Sequence, residues 1–195
     1  MFLNADVGAS FVTGLPSGMH VDPGVRFSLA PGYRIYNDET FAVSLQFETG
    51  VIWNQVRGSD GAPGQMMPQG GFGGTPRTDL YQVPFMAGFE YSFHAGSLVV
   101  PYIGIAGGGI YTDLQSTWNS DRGQGSNGNG PGQGGWNSTE NQSSVSGAVQ
   151  AAAGVRFKLN DHIELGIGYK FLASWPKDVD YLGTHSVSAT FVWRF

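Results

Sequence analysis

Ten charged side chains are the groups through which this sequence could do chemistry in a confined space: Asp6, Arg26, Arg34, Glu48, Glu90, Arg156, Lys158, Glu164, Lys170 and Arg194. All of them fall at even positions of alternating segments whose odd positions hold no Asp, Glu, Lys or Arg. If the segments are strands, the ten share one face, because side chains two apart in a strand point the same way. Spacing then suggests partners. Glu164 lies across a short turn from Arg156 and Lys158 and beside Arg194, Glu48 can face Arg26, and Asp6 is expected to neighbour Arg34 and Arg194. Buried charges need such partners, since an isolated one is very costly. The arrangement can serve as a charged constriction that filters small solutes, or as a salt-bridge plug that fills and rigidifies an interior. Eight-stranded geometry favours the plug.

Other chemistry is thinly represented. His185, Ser186 and Asp180 form the one constellation with nucleophile and base types, but adjacent strand residues point to opposite faces, so His185 and Ser186 are poorly placed as a pair. No enzyme is expected. Asn119, Asp121, Asn127 and Asn129 do not follow the calcium-loop spacing, and "GIAGGGI" does not follow the phosphate-binding one. Neither a metal nor a cofactor is expected. Trp118 and Trp136 flank a tract rich in Gly, Asn, Gln and Ser that cannot build a core. They could bind a glycan, clamp an extracellular or envelope protein, or sit at a rim. Met66, Met67 and Phe72 lie singly in another loop, and scattered apolar residues need no binding role.

Composition narrows the setting. The 195 residues suffice for one domain, 1–195, and a sizeable core. Charged residues at 13% are about half the usual share, while Gly at 31 residues and aromatics at 13% are high. A net charge of −5 with no basic stripe sets nucleic acid aside. Cysteine is absent, which removes thiol chemistry. No run of about 18 apolar residues offers a transmembrane helix. Met1 leads straight into "FLNADVGASFV" with no basic n-region or cleavage site, so a mature chain is expected.

The elements that must position the ten charges read as eight segments of period two with the apolar register on odd numbers throughout. The first sets Leu3, Ala5, Val7, Ala9 and Phe11 against Asn4, Asp6, Gly8 and Ser10. The last sets Val187, Ala189, Phe191, Trp193 and Phe195 against Ser186, Ser188, Thr190 and Arg194. Connections alternate between short ones ("YNDET", "HAGS", "NDH") and long ones, including a Gly/Asn-rich tract at about 113–143 expected to be a mobile loop. The expected fold is all-β: an eight-stranded antiparallel up-and-down transmembrane β-barrel with short periplasmic turns and long extracellular loops.

The odd face carries far more Phe, Tyr, Trp and Leu than an eight-stranded barrel can hold inside. The even face mixes Gly and Ala with long charged groups, which suits a narrow polar interior. The odd face is therefore assigned to lipid, and the aromatics fall into two girdles. Phe11, Trp53, Tyr81, Tyr111, Tyr169 and Phe171 lie near the outer rim, and Tyr33, Phe41, Tyr91, Phe93, Phe157, Trp193 and Phe195 near the inner one. The alternative is a soluble lipocalin-like small-molecule carrier with the faces reversed.

The stretches "LYQVPFMAGFEY", "PYIGIAGGGI", "LGIGYKFL" and "HSVSATFVWRF" resemble the small outer-membrane β-barrel proteins of diderm bacteria, of the porin-like OmpA/OmpX/OmpW type. The resemblance spans the whole chain. It implies a place in the bacterial outer membrane among its lipids, and a structural, surface-interaction or very narrow permeability role. It also implies that Phe191, Trp193 and Phe195 match the carboxy-terminal signal read by the outer-membrane assembly machinery. Gly and Ala at interior positions leave room for at most a narrow water-filled path.

Overall fold

The computed structural model describes residues 1–14, 19–58, 77–93, 98–119, 137–176 and 181–195. Within them the chain forms β1 (Phe2–Thr13), β2 (Met19–Val21), β3 (Gly24–Asn37), β4 (Phe41–Gly58), β5 (Arg77–Phe93), β6 (Val99–Asn119), β7 (Asn137–Lys158), β8 (Ile163–Ser174) and β9 (Leu182–Arg194). Eight of these are long. They pair antiparallel in the order β4-β3-β1-β9-β8-β7-β6-β5, and β5 pairs back onto β4, so the sheet closes. The three-residue β2 adds to the free side of β4 where β3 has ended, with Met19 opposite Gly58 and Val21 opposite Val56.

Closure is what the setting demands, because an unpaired backbone group in hydrocarbon costs several kcal/mol. The first and last long strands complete it through a ladder from Phe2 opposite Arg194 to Thr13 opposite Gly183. Beyond that ladder the Phe195 amide donates to the Met1 carbonyl at 3.1 Å, and the Arg194 amide to the His162 carbonyl at 2.7 Å. The terminal strand is thus held from both sides to its last residue.

The short turns follow from their Asx residues. In the β3–β4 turn, Asp38 Oδ1 accepts the amides of Thr40 and Phe41, each at 2.7 Å. In the β7–β8 turn, Asn160 Oδ1 accepts those of His162 and Ile163, each at 2.8 Å. Such side-chain turns reverse a strand in a few residues, which is why "YNDET" and "NDH" are short connections.

The two faces sort as the alternation dictates. Val7, Phe27, Phe47, Phe89, Ile105, Ile167 and Val187 project outward, while Asp6, Arg26, Ser28, Glu48, Gln150, Lys170 and Ser188 are buried within. Polar groups inside and apolar ones outside is the inverse of a soluble barrel. The outward aromatics touch at both ends. Phe41 and Tyr91 have ring centroids 4.8 Å apart at the turn end, and Trp53 and Tyr81 stack at 6.5 Å near the other. The odd register slips once, at a bulge between Arg34 and Tyr36, which turns Tyr36 outward beside Ile35. Tyr36 joins the girdle there, its ring 5.1 Å from that of Phe41.

The Gly/Asn-rich tract departs from expectation at both ends. The β6–β7 ladder runs on through Asp113 opposite Ser143 to Asn119 opposite Asn137. Residues 113–119 and 137–143 are therefore strand rather than loop. Their polar composition hid this, because a hairpin standing in water needs ladder hydrogen bonds but no apolar face.

Candidate functional site

The lumen is filled in layers, and each layer follows from which even positions meet at one height. Nearest the turn end, Glu164 on β8 pairs with Arg194 on β9 at 2.5 Å and stands 3.9 Å from Arg156 on β7. Arg156 also pairs with Glu90 on β5, which accepts from the Ser92 hydroxyl at 3.0 Å as well. The Arg156 guanidinium lies over the Tyr102 ring, 4.0 Å from its centroid. That ring reaches across the wall because β7 and β8 offer it Gly154 and Gly168, which face each other in the ladder. A Cβ on Gly168 would come within 2.3 Å of the Tyr102 hydroxyl, and one on Gly154 within 2.6 Å.

The next layer is a four-charge network. Glu48 on β4 accepts from Arg26 on β3 at 2.5 Å, from Lys170 on β8 at 2.9 Å and from Gln150 on β7 at 2.8 Å. Lys170 also donates to Asp6 on β1 at 2.7 Å, and Asp6 accepts from Thr190 at 2.7 Å and Ser28 at 3.3 Å. Arg26 completes its fork with Ser186 at 3.1 Å and Gln150 at 2.8 Å. Six strands, β1, β3, β4, β7, β8 and β9, are thereby tied across the lumen by groups that are almost wholly buried. Two carboxylates and two cations cancel, so no net charge is left in low dielectric, the condition under which such a network is tolerable.

Above the charges sits an apolar layer of Ile52, Met86, Ile110, Ala148 and Leu172. Beyond it lies a polar one, where Ser10 donates to Asn54 at 2.9 Å and Thr184 to Gln82 at 3.1 Å. Sequence reasoning missed the apolar layer. Its signal was present, since Ile52, Met86, Ile110 and Leu172 are large apolar residues at even positions of an otherwise polar face. Between the two charged layers lies a cavity of about 40 Å³ bordered by Gln46, Glu48, Glu90 and Gln150 against Gly88 and Ala106. That is room for roughly one to three water molecules.

These layers enclose polar groups inside a wall whose outer face around them is predominantly apolar, the arrangement of a membrane-spanning barrel. The description of the outer membrane protein β-barrel domain family matches residues 3–195. The chain belongs to that family. Its place is the bacterial outer membrane, where the odd face meets lipid. Among curated protein sequences none matches the chain. Among solved structures it is similar to Neisserial surface protein A, at 16% identity and TM-score 0.51, covering 100% of this chain and 96% of that one. It is also similar to the outer membrane protease OmpT from Escherichia coli, at 8% identity and TM-score 0.54, covering 91% of this chain and 65% of that one. Ail, the attachment invasion locus protein of Yersinia pestis, aligns at 15% identity and TM-score 0.47, covering 98% of each chain. At such identities the likeness concerns the fold. The soluble-carrier alternative finds no support, because the barrel interior is charged and filled.

The expected charge pairings need two corrections. Asp6 meets Lys170 rather than Arg34 or Arg194, because the stagger of the closed sheet brings β8 level with it across the lumen. Arg34 instead donates to Asn37 at 3.1 Å on its own strand. Lys158 lies outside the lumen network, its side chain 44% exposed and 2.8 Å from Asp161 in the β7–β8 turn. There the lysine hydrogen bond and charge hold the Asp161 carboxyl below the usual carboxylate range.

His185 and Ser186 diverge as adjacent strand residues must. Ser186 faces the lumen, whereas His185 lies on the outer face with Nδ1 2.6 Å from the Tyr169 hydroxyl and Nε2 3.3 Å from Thr13 Oγ1. Asp180 and Trp136 lie outside the described residues, as do Met66, Met67, Phe72, Asp121, Asn127 and Asn129. Trp118 stands in β6 opposite Ser138, and its side chain too lies outside them. Among the described residues no group of three or more His, Cys, Asp or Glu could hold a metal. On the terminal strand Phe191, Trp193 and Phe195 all face outward, and the Phe191 and Trp193 rings are 6.5 Å apart.

Proposed function

We propose that this barrel is a sealed, non-catalytic membrane anchor that works at the cell surface through its outer loops and protruding wall, with permeation at most incidental. The observation that carries the reading is the stack of filled layers. Arg156, then Arg26 and Glu48, then Ile52, Met86, Ile110 and Leu172 obstruct the lumen in turn, each nearly or wholly inaccessible to solvent. A solute would have to break a neutral buried charge network and displace an apolar layer in succession. The ten charges, less Lys158, then serve as a structural plug rather than a selectivity filter.

The reading includes two partners. Phe191, Trp193 and Phe195 present alternate aromatics on a strand end that pairs on both sides, a form suited to recognition by the outer-membrane assembly machinery before closure. An extracellular or envelope protein is the partner expected at the loop end. Planar-bilayer recording tests the sealed lumen. The purified barrel should give no conductance steps, and replacing Glu48 or Arg26 should not open it; steps of general-porin size would overturn the proposal.

A further inference from the structure

The charges of the lumen do not all cancel. The set of Asp6, Arg26, Glu48 and Lys170 is neutral, but the layer at the turn end holds Arg34, Arg156 and Arg194 against Glu90 and Glu164, three cations to two carboxylates. Glu90 takes Arg156, and Glu164 takes Arg194 at 2.5 Å. Arg34 is left over. Its hydrogen bond goes to the Asn37 amide oxygen at 3.1 Å, and none of the described carboxylates pairs with it. The adjoining turns offer no substitute, since Asp38 Oδ1 accepts the amides of its own turn and Asp161 holds Lys158 at 2.8 Å. The chain as a whole carries −5, so this positive excess runs against its composition.

The fold puts that excess at the periplasmic mouth. Arg34 is the last even position of β3 before the bulge, so it points inward while Tyr36 turns out. It is half-buried and borders a pocket shared with Phe2, Ser44, Arg156 and Arg194. Ser44 stands opposite Arg34 in the β3–β4 ladder and is itself buried. Phe2, packed over Gly32, gives the pocket one apolar side. Arg156 and Arg194 each keep an Nε–H that is shut off from solvent and has no acceptor. Buried donors left in that state are costly.

The pocket as it stands has no room for a water molecule. Of its three cations, Arg34 alone is held by no carboxylate, and its hydrogen bond to Asn37 lies at an exposed site. Moving that side chain is therefore the easiest way to open the mouth. Deeper entry is closed, because Arg156 is locked between Glu90 and the Tyr102 ring.

We infer that the periplasmic mouth binds a single oxyanion group, a carboxylate or a phosphate, which replaces Asn37 as the partner of Arg34 and accepts from Arg194. A guanidinium fork matches either group with two parallel hydrogen bonds. One such group neutralises the one leftover cation, and the shallow pocket leaves the rest of the ligand in the periplasm. The site goes beyond the surface reading above, because it lies at the opposite end of the barrel and beneath the layers that seal the lumen.

The experiment uses the whole barrel, labelled with nitrogen-15 arginine, in nonionic detergent micelles that supply neither phosphate nor carboxylate. The Nε–H resonances of Arg34 and Arg194 are followed while sodium acetate or inorganic phosphate replaces sodium chloride at constant ionic strength. Both resonances should move and saturate with one midpoint, and the anion with the lower midpoint names the group. Arg34→Gln should weaken that binding at least about tenfold, the loss of a charged hydrogen bond. Lys158→Gln removes the same charge from the same end of the barrel and should leave the midpoint where it was. Shifts that grow without saturating for both anions, or equal weakening by the two variants, would overturn the inference. Should Arg34→Gln fail to fold, saturation of the unmodified barrel against the chloride baseline decides the matter alone.

Discussion

Glu48→Gln is the perturbation with the clearest arithmetic. Asp6, Arg26, Glu48 and Lys170 form a buried set whose charges cancel, with Glu48 accepting from Arg26 at 2.5 Å, Lys170 at 2.9 Å and Gln150 at 2.8 Å. Glutamine keeps the shape and one acceptor but leaves the set with one uncompensated positive charge. Removing one partner of a buried pair costs about 3–5 kcal/mol. Lys170 keeps Asp6 at 2.7 Å, and the neighbouring cavity of about 40 Å³ can admit water, so the low end applies. The expected loss is about 3 kcal/mol, roughly a hundredfold in the folding equilibrium. Adding Arg26→Met should recover most of it, since the remaining Asp6–Lys170 pair is again neutral. The assay is reversible urea unfolding in lipid vesicles, followed by tryptophan fluorescence and by the gel shift between folded and unfolded barrel. A single-variant loss below about 1 kcal/mol, or a double variant as unstable as the two singles summed, would refute the claim that charge balance holds this layer together.

Gly168→Ala should cost about 1–3 kcal/mol in the same unfolding assay, because the added methyl meets the Tyr102 hydroxyl at 2.3 Å and the ring is pinned beneath Arg156. Deleting Phe195 should lower the amount of barrel assembled in cells several-fold, while the protein refolded in detergent loses little stability, since one backbone bond at 3.1 Å is all that its amide contributes; equal losses in both would contradict an assembly role. Carbon-detected titration of Asp161 should place its carboxyl below the range of an unpaired aspartate, and Lys158→Gln should return it there, because the lysine is the first cause of the depression.

Much of this barrel is legible in local alternation because lipid and lumen impose opposite demands on neighbouring residues. Leu3 beside Asn4, or Phe27 beside Arg26, already states which way each side chain points. The Arg26–Glu48 contact was legible for the same reason, since β3 and β4 are joined by a short turn that sets their register. The Asp6–Lys170 contact was not. Those residues are 164 apart on strands that are not ladder neighbours, and they meet only through the stagger that closure imposes. The apolar layer was obscured in a related way, as Ile52, Met86, Ile110 and Leu172 come from four strands and look like isolated exceptions until the barrel brings them level.

The same reasoning explains why the tall wall could not be foreseen. Within the bilayer each strand declares itself through apolar alternation, but above it a strand needs only a partner, so Thr112 to Asn119 and Asn137 to Ser144 carry no pattern. What pairs them is the hairpin they belong to. Because β8 ends at Ser174 while β7 reaches back to Asn137, the difference in strand length, rather than any motif, leaves the upper part of β7 paired with β6 alone among the described residues. Shortening β6 and β7 to the height of β8, by removing residues from both strands in register, should leave the charged layers and the fold intact, because the layers lie at or below Ala148. A shortened barrel that no longer folds in lipid vesicles would instead place part of the barrel's stability in the protruding wall.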